Sequence, residues 1–199
     1  MKPELLTIGH SNHSGERFLE LLRQHRVEAV VDVRSSPYSA RWPQFNREVL
    51  QRSLGAAGLR YVFLGEELGA RRAERECYVE GVAHYGLIAK APAFQSGLTR
   101  VEAGMRRFRL ALMCAEQDPL ECHRAILVCR HLRDAAQIHH ILADGTTQYH
   151  ADAEARLLVE EQVPADDLFV SRPELLDRAY DQRGAKIAYH EAIEPVANV

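Results

Sequence analysis

Apolar residues recur along the chain in two alternating periods. Leu5 to Gly9 is a short apolar run closed by glycine, and Phe18, Leu19, Leu21 and Leu22 follow at helical spacing, so a strand and then a helix are expected. Glu28 to Val33 is β-branched and almost continuously apolar, the pattern of a strand covered on both faces. A polar loop, Arg34 to Pro43, leads to a helical stripe of Phe45, Val49, Leu50, Leu54 and Ala57 that Gly58 stops; Arg60 to Leu64 then reads as a third strand closed by Gly65. The less regular stretch from Glu66 to Pro92 is expected to hold a helix around Tyr78 to Lys90. Leu98 to Arg107 predicts another helix, Phe108 to Cys114 a fourth strand and Ile138 to Leu142 a fifth. Between these last two strands lies the best-marked helix start in the chain, with Asp118 as N-cap, Pro119 at the first helical position and Glu121 three residues after the cap. One helix from Leu120 to about Leu132 is expected there.

Strands and helices that alternate in this way imply a mostly parallel sheet, and right-handed crossovers put its helices on both faces. The expected fold is α/β: a three-layer sandwich with about five strands, followed by a helical C-terminal extension. The division falls near residue 150, with 1–149 as the α/β domain. The extension, 150–199, is charged and broken by Pro164, Pro173 and Gly184.

A length of 199 residues suits one well-buried core, and 46% hydrophobic with 27% charged residues excludes disorder and fibrous architectures. The apolar run before Gly9 is too short for a signal segment or a membrane span, so a cytoplasmic protein without a membrane partner is expected. Four cysteines, Cys77, Cys114, Cys122 and Cys129, form no Cys-x-x-Cys pair, which argues for reduced thiols rather than a disulfide scaffold. A net charge of −3 does not favour nonspecific nucleic-acid binding. The charge is nevertheless uneven: between Arg34 and Arg75 eight arginines face only Glu48, Glu66, Glu67 and Glu74. Lysine occurs only at positions 2, 90 and 186, and no phosphate-binding Gly-Lys-Ser/Thr loop is present.

In an open α/β sheet ligands bind beyond the carboxyl ends of the strands. The residues that end or follow the expected strands are His10, Ser11, Asn12 and His13; Asp32, Arg34, Ser35, Ser36, Tyr38 and Ser39; Glu66 and Glu67; and Cys114 and Glu116. Each has a plain structural alternative. Asp32 can accept from loop amides or act as a base; Arg34 can tether Glu66 or Glu116 or clamp a phosphate or carboxylate; the serines can shape turns or cradle an anion. Cys122-His123-Arg124, in the first turn of the Asp118-capped helix, would have its thiol exposed to the helix dipole. The alternative is packing, because successive helical positions diverge and His123 and Arg124 cannot both share the face of Cys122. Zinc held by Cys114, Cys122 and a histidine would match no familiar ligand spacing, so no metal is expected.

Thr7-Ile8-Gly9-His10-Ser11, Asp32-Val33-Arg34-Ser35 with Pro37 and Ser39, Leu64-Gly65 with Leu68-Gly69, Leu112-Met113-Cys114-Ala115-Glu116 and Cys122-His123-Arg124 together resemble the successive motifs of the domain of unknown function 488 family. The resemblance runs from about residue 4 to 145 and ends with His140-Ile141 and Asp144-Gly145. It implies an α/β fold and carries no established reaction or cofactor. One departure is Ala70-Arg71-Arg72, where related sequences often show a further glycine.

Three functions remain open from the residues. The first is an enzyme acting on a polar anionic substrate, nucleotide or nucleic-acid related, with Asp32, Glu116, His10 and Cys122 as catalytic candidates. Its binding candidates are Ser11, Arg34, Ser35, Ser36, Tyr38, Ser39, Glu66, Cys114, His123 and Arg124, and the arginines of the 34 to 75 segment and Trp42 would extend the site. The second is a noncatalytic module that binds a small anion or nucleic acid in the same pocket. The third is an interaction protein that pairs with another copy or another chain through Leu168, Phe169, Leu175 and Leu176 of the extension.

Overall fold

Alternate residues of each central strand turn to opposite faces, and both faces are apolar. In the computed structural model, which describes residues 2–191, β1 (Glu4–Gly9), β2 (Ala29–Asp32), β3 (Arg60–Phe63), β6 (Leu110–Cys114) and β7 (Gln137–Ile141) run parallel, and β8 (Thr147–Tyr149) closes one edge antiparallel to β7. The spatial order is β3-β2-β6-β1-β7-β8. Leu6, Ile8, Val30, Ala111, Met113 and Ile141 meet Phe18, Leu21 and Leu22 of α1 (Gly15–Gln24) and Leu50 and Leu54 of α2 (Arg47–Ala56). Leu5, Val31, Leu110, Leu112 and Ile138 meet the opposite layer, which contains α5 (Pro92–Met105) and the helix that follows β6. The three-layer α/β sandwich is present, with six strands in its sheet.

The sixth strand is short and polar, which hides it from a periodicity reading: Thr147 and Tyr149 are exposed. The expected helix around Tyr78 to Lys90 is instead a hairpin, β4 (Tyr78–Val79) and β5 (Val82–Ala83), followed by a single turn, α4 (Tyr85–Ile88). Glu80 and Gly81 both adopt positive φ, 51° and 77°, the two-residue turn that matches the twist of paired strands. A four-residue helix, α3 (Gly65–Leu68), precedes this hairpin and packs on α5.

The helix expected from Leu120 to Leu132 is divided. Asp118 does cap a turn, accepting from Leu120 N–H at 2.9 Å, but that turn is only Pro119–Glu121. Cys122 is extended, with φ −137° and ψ 136°, and a second helix then begins as a wide turn, Arg124–Cys129, that runs into α6 (Arg130–Leu132). Arg124 explains part of the break. Its buried guanidinium donates to the carbonyls of Glu116 (2.6 Å) and Gln117 (2.9 Å), tying the helix start to the loop after β6.

The last helices, α7 (His150–Glu160) and α8 (Arg172–Ile187), insert Leu157, Leu158, Leu175, Leu176, Ala179 and Tyr180 into the same core as the sheet. Arg183 adds ion pairs to Glu121, Glu160 and Glu161. Leu175 and Leu176, considered above as pairing residues, are therefore interior, whereas Leu168 and Phe169 are exposed. A polar thread crosses this core from Thr7 through His140 and His150 to Tyr180 and Glu154, with each step between 2.8 and 3.0 Å. Among the described residues no helix is long and apolar enough to cross a membrane.

Strand order positions the site. The connections from β1 and β2 leave over the α1/α2 face, whereas the one from β6, which lies between them, leaves over the other. A crevice therefore opens at the carboxyl end of β6. The approach there is close: a Cβ at Gly9 would collide with the carbonyl of Glu116. Glycine lets the ladder continue beyond β1, through His10 N–H to Cys114 O and Ser11 N–H to Ala115 O, each 2.8 Å.

Candidate functional site at the end of strand β6

A cavity of about 460 Å³ occupies this crevice. Cys114, Glu116 and His123 line it from the β6 side, and Arg34, Ser35, Ser36 and Tyr38 from the loop after β2. Arg71 and Tyr85 line it as well, and Ile187 to His190 complete it from the C-terminal side. That last segment is held in place by Ala83 N–H to Tyr189 O (2.9 Å) and Glu191 N–H to Gly81 O (2.8 Å), extending the β4–β5 hairpin. Arg71 stacks on Tyr189 at 4.4 Å and has no carboxylate within ion-pair distance among the described residues. Its backbone N–H binds Ser35 Oγ at 2.9 Å. A shallower depression bounded by His10, Ser11, Arg41 and Trp42 shares Glu116 with the main cavity.

Several expected site residues stand elsewhere. Asp32 is fully buried and receives Arg34 on both oxygens, Nε at 2.9 Å and Nη2 at 2.6 Å, together with the Tyr61 hydroxyl at 2.8 Å. Arg34 also donates to Phe45 O (2.9 Å) and to His10 Nε2 (3.3 Å), so four of its five N–H donors end on protein atoms. His10 stacks on Phe45 at 4.3 Å. Burial and the neighbouring guanidinium lower its pKa to about 4, so the ring is neutral and takes the Arg34 N–H. Ser39 shapes a turn, accepting from Trp42 N–H. Glu66 is exposed on α3 and is not among the residues lining the cavity. Arg124 is fully buried against backbone carbonyls.

The remaining candidates form a tight cluster. Glu116 Oε2 lies 2.9 Å from Cys122 Sγ and 3.1 Å from Cys114 Sγ. His123 Nδ1 is 3.7 Å from Cys114 Sγ, and its Nε2 is 2.9 Å from the Val33 carbonyl. Because a carbonyl only accepts, Nε2 carries a proton. Burial opposes a charged ring, but Cys122 beside it raises the His123 pKa, so Nδ1 faces the thiols as a donor in the charged ring and as an acceptor in the neutral one. The break at Cys122 makes this convergence available: the chain passes from extended at Cys122 to helical at His123, so adjacent side chains reach one centre. Cys122 also stands where an N-cap would, with the N–H groups of Ala125 and Ile126 on its carbonyl and that of Arg124 on its sulfur at 3.4 Å. Burial opposes ionisation of Cys122, but the Cys114 thiol, Arg124 and His123 beside it outweigh that and hold it well below the ordinary thiol value. Burial and the same neighbour hold Cys114 well above. Burial and Cys122 raise Glu116.

A family model described as Domain of unknown function DUF488 matches residues 14–130. The chain belongs to the DUF488 family. The matched region of this DUF488 protein spans β2, β3, α5, β6 and the Cys122-His123-Arg124 segment, whereas Thr7 to His10 and His140 to Gly145 lie outside it. Comparisons with curated proteins and with solved structures find no match.

Sequence reasoning included Arg71 only as one of a group of arginines and missed Tyr85 and the Ile187 to His190 wall. The only available signal was the arginine excess between residues 34 and 75, which includes Arg71 without distinguishing it. Nothing local marks Tyr189, because its position over the cavity depends on a backbone bond to Ala83, more than a hundred residues away.

Proposed function

We propose that this DUF488 protein is an enzyme acting on a small polar anion, with nucleotides as the leading substrate class. The observation that supports this reading is that Arg71, which has no carboxylate within ion-pair distance among the described residues, lines the same cavity as Glu116. Arg71 would take a phosphate or carboxylate in its fork, with Ser36 at the same wall. Glu116, open to the cavity, would move the proton. The cavity volume falls within the range of small-molecule sites, and Tyr38, Tyr85 and Tyr189 offer aromatic faces to a base. Arg34 and Asp32 would hold the wall rather than touch the substrate.

Thermal shifts of the wild type with nucleotides, phosphate and sulfate test the binding, because a ligand of the native state raises its apparent stability. A shift that disappears in Arg71→Ala while the unliganded protein melts unchanged is the expected result. Turnover of a nucleotide or phosphate ester that Glu116→Gln abolishes without removing the shift would establish catalysis. A shift without turnover would make the protein a binding module, and no shift with any anion would remove the reading altogether.

A further inference from the structure

Cys114, Cys122 and His123 present two sulfurs and a nitrogen that all lie within 4.8 Å of one another. We infer that these three residues bind a transition-metal ion, zinc in the first instance, with the fourth coordination position open to the cavity. Zinc holds sulfur at about 2.3 Å and imidazole nitrogen at about 2.0 Å, so two such ligands at a tetrahedral angle stand about 3.5 Å apart. The Cys114 Sγ to His123 Nδ1 separation is 3.7 Å. Two thiolates and one imidazole form a soft set that suits zinc better than calcium or magnesium.

The surroundings meet the further demands of a metal site. His123 gives its other ring N–H to the Val33 carbonyl, the outer contact that fixes a ligating histidine's tautomer and orientation. Arg124 N–H approaches Cys122 Sγ at 3.4 Å, an N–H···S contact onto a ligand sulfur. Charge also closes: two thiolates and the Glu116 carboxylate sum to −3, and a divalent ion with the Arg124 guanidinium supplies +3. Cys114 and His123 line the cavity while Cys122 is 1% exposed, so the protein ligands close the inner side and leave the outer one accessible. Three protein ligands with an open position are the arrangement of catalytic zinc, and Glu116, whose Oε2 lies 2.9 and 3.1 Å from the two sulfurs, would be the carboxylate nearest a bound ion. The adjacent Cys-His pair is absent from familiar ligand spacings because a continuous helix would separate the two side chains; here the backbone breaks between them. The site stands independently of whether the cavity turns over an anion.

The test uses the full-length reduced chain, stripped with a chelator and titrated with Co²⁺ and then Zn²⁺. One ion per chain is expected, with cobalt giving thiolate charge-transfer and tetrahedral ligand-field bands. Cys114→Ser and Cys122→Ser should each lose roughly half of the charge-transfer intensity, since one of two thiolates is gone. Cys77→Ser and Cys129→Ser should keep it all. Because serine at a buried position can unfold the chain, zinc X-ray absorption of the wild type supplies a second reading, with two sulfur neighbours at about 2.3 Å expected. A sulfur-free zinc shell, binding below one equivalent, or full cobalt intensity in folded Cys114→Ser and Cys122→Ser would each overturn the assignment.

Discussion

Two polar clusters share the carboxyl edge of the sheet and differ in what their hydrogen bonds leave over. In the cluster of Asp32, Arg34, His10 and Tyr61, donors and acceptors end on one another: both Asp32 oxygens are taken, and His10 accepts from Arg34 while stacked on Phe45. In the cluster of Cys114, Cys122, His123 and Glu116, two sulfurs, a ring nitrogen and a carboxylate converge beside an open cavity. The residue types on the two sides invite the same functional reading. Closure separates them: the first fastens the β2 loop to β1 and to the α2 side, and the second keeps lone pairs available to a ligand.

Breaking the closed cluster should therefore affect stability first. Asp32→Ala strands a buried guanidinium and is expected to cost about 3–5 kcal/mol, measured by urea denaturation; a loss below 1 kcal/mol would show that the pair is not part of the frame. Acid should act on the same cluster through His10. Its folded pKa of about 4 lies below the ordinary 6.5, so the unfolded chain binds the extra proton, and this contribution is complete above pH 6.5 and lost as pH falls toward 4. Roughly 2–3 kcal/mol should disappear across that window, and His10→Gln should remove that part of the pH dependence. Tyr61→Phe deletes one hydrogen bond to a carboxylate and should cost about 1.5–3 kcal/mol, with the lower figure favoured by the partly exposed position of Tyr61. Glu116→Gln, at the open cluster, keeps the side-chain shape and should change stability by no more than about 0.5 kcal/mol; a loss like that of Asp32→Ala would abolish the contrast between the two clusters.

The central strands β1, β2 and β6 were legible because strands buried on both faces must be apolar almost throughout, as Val30, Val31, Leu110, Ala111 and Leu112 are; β3 and β7, partly exposed and partly polar, were marked by their place in the strand–helix alternation. β8 was not, since a short edge strand need bury little. In the β4–β5 hairpin, Tyr78, Val82 and Tyr85 fit a helical period as well as paired strands, and the turn at Glu80-Gly81 decides for the strands. Asp118 caps a turn where its signal predicts one, but the helix proper starts only after Cys122, a division that Arg124 helps to impose by holding the carbonyls of Glu116 and Gln117.

For the site, position along the chain was enough to collect Asp32, Arg34, Cys114, Glu116 and the Cys122-His123 pair at one edge, since each follows a strand or the loop after it. Their division into frame and opening was not readable. A guanidinium, a thiol or an imidazole can serve either purpose, and which one it serves depends on the partners that the sheet order brings within about 3 Å. The sequence by itself determined the layered α/β fold and the edge at which polar and titratable side chains gather, because burial periodicity and the ends of strands are local properties. Only the tertiary structure decided that Asp32 holds Arg34, that Cys122 and His123 face one centre, and that Tyr189 covers the cavity, because each depends on contacts between segments far apart in the chain.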